Sequence, residues 1–162
     1  MNKIRKIYDV ITEAIIGPAG KEILTDAAEC MLDAELQEGI LRDLPVVKWF
    51  AHVSDLRANI ANRFFVAKLL TFLSELSDVT ESERLEFAAR VENDEAFKQT
   101  TGEQLFIQLE RLDDLKKPKL LAKAFHAYLA NRIDNRSFRE LAMVIDRCFL
   151  DDLPHLKSGN IN

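Results

Sequence analysis

Side chains able to bind a metal, move a proton or attack a substrate are present in this chain, but their spacing is poor. The three histidines are His52, His126 and His155, and none has a second His or a Cys placed to put two ligands on one helical face. In Asp152-Leu153-Pro154-His155 an acid and an imidazole come close, but Pro154 breaks the helix that would aim them together. Carboxylate pairs at Asp113-Asp114 and Asp151-Asp152 could do acid–base work if one acid were neutral and its neighbour ionised. Both pairs fall at expected helix boundaries, where solvated acids commonly act as caps. Gly17-Pro18-Ala19-Gly20 lacks the preceding strand and following Lys-Ser/Thr of a phosphate loop, and the Glu-x-x-His motif of di-iron bundles is missing. The expectation is a protein that is not an enzyme, with no catalytic residue, no cofactor and no metal site.

Charge carries more information. Between Glu22 and Asp43 the acids Glu22, Asp26, Glu29, Asp33, Glu35, Glu38 and Asp43 face the lone base Arg42. Between Lys116 and Arg139 the bases Lys116, Lys117, Lys119, Lys123, Arg132, Arg136 and Arg139 face the lone acid Asp134. Two such segments steer a partner protein or a second copy of the chain if they lie apart, and pair with each other if they lie together. The candidate partner-binding residues are therefore Asp26, Glu29 and Asp33 on the acidic side, and Lys119, Lys123, Arg132, Arg136 and Arg139 on the basic side. The basic region 116–139 could also track phosphates, with two helices joined at Ile133-Asp134 docking in a groove. A net charge of −5, the absence of a basic arm, and Phe138 and Leu141 where a recognition helix needs polar residues argue against nucleic acid as a partner.

The elements that must position these residues are helices. Five Gly and four Pro in 162 residues leave too few turns for a sheet-rich domain. From Phe64 to Leu73 only Lys68 and Thr71 are polar, so a helix there is apolar on nearly all sides and belongs in a core. We expect an all-α, single-domain multi-helix bundle over 1–156, packed around a buried central helix at about 55–76, with a flexible tail at 157–162. Ile4, Tyr8, Ile11 and Ile15 mark a first helix, and a second runs from Lys21 into the thirties with its acids outward. Thr80-Glu81-Ser82-Glu83 and Thr101-Gly102-Glu103-Gln104 have the capping-box form and predict helix starts. Leu85, Ala88 and Ala89 are expected on the core face after the first box, and Phe138, Leu141, Ala142, Val144, Ile145 and Phe149 on that of the last helix.

Charges interrupt the apolar run that a signal peptide would need near Met1, and the longest apolar stretch is too short to span a membrane. A cytoplasmic protein follows, with Cys30 and Cys148 as reduced, buried thiols. A membrane remains a possible partner, because 44–73 could form an apolar hairpin with Trp49-Phe50 at the interface. Lys48, Asp55, Arg57, Arg63 and Lys68 make its insertion costly.

Leu109-Glu110-Arg111-Leu112-Asp113-Asp114, Lys119-Leu120-Leu121-Ala122-Lys123-Ala124-Phe125 and Ile145-Asp146-Arg147-Cys148-Phe149-Leu150 resemble uncharacterised small all-helical proteins of bacterial genomes, of the mobile-element and phage-defence type. The resemblance implies a bacterial or phage cytosolic protein and transfers no catalytic residue. The function expected is non-enzymatic protein binding of a regulatory or immunity type. The alternative is a membrane-active effector inserting the 44–73 hairpin, followed by nucleic-acid regulation through 116–139.

Overall fold

The computed structural model describes residues 11–32, 60–91 and 95–152. Regular structure among them is all helical, as expected, with no strand. The helices are α1 (Gly20–Leu32), α2 (Ile60–Glu75), α3 (Glu81–Val91), α4 (Glu95–Arg111), α5 (Lys117–Leu129) and α6 (Asn135–Arg147), with a 3-10 turn at Leu150–Asp152. Residues 11–16 are helical as well, and Gly17-Pro18-Ala19 breaks the chain before α1.

Helix α2 is the described part of the central helix; 55–59 lie outside the described residues. Leu69, Leu70, Phe72 and Leu73 are at most 1% exposed, whereas Phe64 at its start is 39% exposed. Burial deepens along the helix because α1 and α5 both pack on it and α4 touches it, while α1 makes no substantial packing against α5. The acidic helix and the basic one thus each pack on α2 without packing substantially on each other.

A second centre was not foreseen. Phe125 of α5 packs against Phe72 of α2 at 5.9 Å, Phe87 of α3 at 6.1 Å and Phe138 of α6 at 5.5 Å between ring centroids. Tyr128 stacks on Phe138 at 5.5 Å with 12° between planes. Ring pairs at such distances each add about 0.5–1.5 kcal/mol beyond their buried area. The same cluster corrects the core face expected for α3: Phe87 is buried, while Leu85 is 63% exposed and Ala89 is exposed. A phenyl ring can reach Phe125 and Tyr128 together, and turning it inward rotates Leu85 out.

Helix α4 corrects a second expectation. It begins at Glu95, so Thr101 and Gly102 sit inside it. Once the preceding turn supplies carbonyls, the N–H groups after Thr101 need no cap, and propagation outweighs a new start. The box at Thr80 forms as expected, with Thr80 Oγ1 accepting from the Glu83 N–H at 3.2 Å and the Thr80 N–H donating to Glu83 Oε2 at 2.9 Å.

Helix C-termini expose carbonyls that need donors, and this glycine-poor chain fills several of them with cations from other helices. Arg84 of α3 donates to Ile15 O at 3.1 Å and Gly17 O at 2.8 Å. Lys68 of α2 donates to Glu110 O at 2.8 Å and Leu112 O at 2.9 Å, at the end of α4. Arg90 of α3 donates to Tyr128 O and Leu129 O at the end of α5, and to Asn131 Oδ1 at 2.8 Å. Lys117 of α5 donates to Asp146 O at 2.9 Å in the last turn of α6. Each cation also meets the negative end of a helix dipole.

Candidate interaction surface

The basic surface is built on α5, the turn after it, and α6. Pro118 opens α5, where its missing N–H costs nothing. Asn131 takes a left-handed backbone at φ 55°, a conformation Asn tolerates, and turns the chain toward α6. Asp134 caps α6 by accepting from the Ser137 N–H at 2.8 Å, and that hydrogen bond holds its carboxyl below the usual range. The turn leaves Arg132 exposed.

Helix α6 buries Phe138, Ala142 and Ile145. Leu141, Val144 and Phe149, expected in the core, are instead 42%, 57% and 77% exposed. The arc that faces Phe125 and Tyr128 is narrow, so side chains one residue before or after an inward position fall on the flank or the outer side. Around the outer side Arg136, Arg139, Met143 and Arg147 recur at three- and four-residue spacing and form one stripe, all exposed. The sequence reading missed Met143 and Arg147 in this stripe, although its periodicity is present in the sequence.

All five of the expected basic residues are at the surface. Lys123, Arg132 and Arg139 are exposed and, like Arg147, form no ion pair among the described residues. Lys119 reaches Glu75 of α2 at 3.1 Å, and Arg136 reaches Glu140 one turn along α6 at 2.9 Å. Lys117 departs from the solvated basic face: it is buried, pairs with Asp113 at 2.7 Å and holds that carboxyl below its ordinary range. On the acidic side Glu29 is exposed, Asp26 is half-buried with Oδ2 buried and lacking a hydrogen bond, and Asp33 lies outside the described residues. No ion pair among the described residues joins the acids of α1 to the bases of α5 or α6.

Other sequence features find structural places. His126 Nε2 lies 3.2 Å from Glu83 Oε1, linking α5 to α3; His52 and His155 lie outside the described residues. Asp114 Oδ1 accepts from the Lys116 N–H at 2.6 Å, a turn contact before α5. No group of three or more His, Cys, Asp or Glu is gathered for a metal among the described residues. Cys148 is half-buried rather than buried, and the side chain of Cys30 lies outside the described residues. The described half of the 44–73 hairpin supplies Leu69, Leu70, Phe72 and Leu73 to the core, and no described helix is long and apolar enough to cross a membrane.

No protein-family model and no solved structure matches the chain. A 49-residue stretch, 30% of the chain, is 47% identical to part of a protein named serine hydroxymethyltransferase from Rickettsia canadensis (strain McKiel). Serine hydroxymethyltransferase of Rickettsia felis is similar over the same extent and at the same identity. The chain spans 11% of the length of these relatives, an overlap that establishes no family.

Proposed function

We propose that this chain is a non-enzymatic protein-binding module, of a regulatory or immunity type in a bacterium or phage, that docks a partner through the outward side of α5 and α6. The observation that carries the reading is that Lys123, Arg132, Arg139 and Arg147 are exposed and without ion pairs among the described residues, with Leu141 and Val144 of α6 exposed as well. Unpaired cations speed and orient encounter with an acidic surface, while flanking apolar side chains lose water on contact and hold what has arrived. The partner is accordingly a protein with an acidic docking face. Insertion of the 44–73 hairpin is the weaker reading, because it would draw Leu69 to Leu73 out of the core. The short likeness to serine hydroxymethyltransferase brings no reaction with it, since it covers a small part of that protein.

The test is capture from cell extract with tagged wild type and with Arg132→Glu/Arg139→Glu, at low and high salt. An acidic protein retained at low salt, and lost about tenfold or more in affinity on double reversal, is the expected result, tenfold being about 1.4 kcal/mol. Capture that ignores both salt and reversal, or that yields nucleic acid or lipid in place of protein, overturns the reading.

A further inference from the structure

Two charged stripes on this chain match each other but do not meet. On α1, Glu22, Asp26 and Glu29 follow at four- and three-residue spacing along the side away from Ile23, Leu24 and Ala27, which are buried against the core. On α6, Arg136, Arg139, Met143 and Arg147 follow along the side away from Phe138, Ala142 and Ile145. Glu22, Glu29, Arg139 and Arg147 are exposed and take no ion pair among the described residues. Helix α1 makes no substantial packing against α5 or α6, and no ion pair among the described residues joins the two stripes within one chain.

We propose that the basic stripe of α6 docks the acidic stripe of α1 from a second copy of this chain, an inference that rests on the docking-surface reading and names its occupant. Laid side by side, the two helices let Glu22 and Glu29 of one copy meet Arg139 and Arg147 of the other, which makes two pairs in one register. The contact uses different patches on the two copies and is therefore heterologous, which makes head-to-tail chains or rings rather than a closed two-fold dimer. Its strength is modest, because exposed ion pairs are individually weak. It is also salt-sensitive, as the Debye length falls from about 10 Å at 0.1 M to about 3 Å at 1 M.

The experiment is analytical ultracentrifugation of purified protein at low and high salt, with two charge-reversed variants, Glu22→Lys/Glu29→Lys and Arg139→Glu/Arg147→Glu. Circular dichroism first checks that both variants fold, and all four positions are exposed. Wild type is expected to form concentration-dependent oligomers at low salt that dissociate at high salt, and each variant alone to be monomeric. Mixing the two variants is expected to restore association, since one then carries two acidic stripes and the other two basic ones. Wild type that stays monomeric at low salt, or a mixture that fails to associate, overturns self-pairing. If that monomeric protein still captures an acidic partner, the docking-surface reading survives and its occupant is another protein.

Discussion

Lys68 shows how one residue can serve a fold while opposing it. The residue is 4% exposed, and its ammonium lies 5.3 Å from the centre of the Phe64 ring and satisfies two carbonyls at the end of α4. Burial holds its pKa below the ordinary 10.5, against the opposing pull of Glu110 and Asp113. A lysine with a depressed folded pKa favours folding fully above the unfolded value and loses that contribution as pH falls through the folded value. Stability should therefore rise with pH in the window just below 10.5, and Lys68→Met, which has no proton to release, should lack that rise in urea titrations across the alkaline range. At neutral pH Lys68→Ala should cost about 1–3 kcal/mol for the orphaned Leu112 carbonyl, read as a shift in urea midpoint. Gly20 marks a different constraint: a Cβ there would sit 2.6 Å from Ala14 O and 2.0 Å from Arg84 Nη2. Gly20→Ala should displace Arg84 from Ile15 and Gly17 and lower the melting temperature, whereas Ala at exposed Thr25 should not.

Each helix is legible in its termini as much as in its faces. The start of α3 is held by the reciprocal pair of Thr80 and Glu83, and Thr80→Ala should cost about 1 kcal/mol in chemical denaturation. Hydrogen bonds from Thr80, joined by the one with His126, hold the Glu83 carboxyl below its ordinary 4.5. Its contribution is complete above 4.5 and fades as pH falls through the lower folded value. The stability gap between wild type and Glu83→Gln should accordingly be widest above pH 4.5 and close in stronger acid. Helix α4 is the counter-example, since its internal Thr101-Gly102-Glu103-Gln104 has the same local grammar and starts nothing. A cap matters only where the preceding turn leaves N–H groups without partners.

The molecule as a whole is tied together twice, by the aromatic centre around Phe125 and by cations reaching across to helix ends. Phe72 is fully buried and joins α2 to that centre, so Phe72→Ala should cost about 3–5 kcal/mol in urea unfolding. A loss below about 1 kcal/mol would remove α2 from the core role assigned to it. The ion pair of Arg111 with Asp146 at 2.8 Å, beside the Lys117 contact, fastens α6 to α4 and α5, so the basic stripe rides on a held helix. The backbone of such a surface loses little freedom when a partner arrives, so the ordering cost of binding falls on the Arg side chains.

By itself the sequence determined that this protein is helical, that Phe64 to Leu73 runs into the core, and that acid and base are segregated along the chain. These follow from local pattern: few turn residues, an apolar run too short for a membrane, and charge blocks read directly from order. Three-dimensional packing decided the rest. Leu141 and Val144 differ from Phe138 and Ile145 in no way that composition reveals; the width of the aromatic cluster beneath α6 puts one pair outside and the other inside. Lys68 and Lys117 look like surface lysines until the carbonyls of Leu112 and Asp146, 44 and 29 residues along the chain, come within hydrogen-bond reach. Whether acidic and basic segments meet is likewise a matter of which helices pack on one another, a long-range relation that no local pattern encodes.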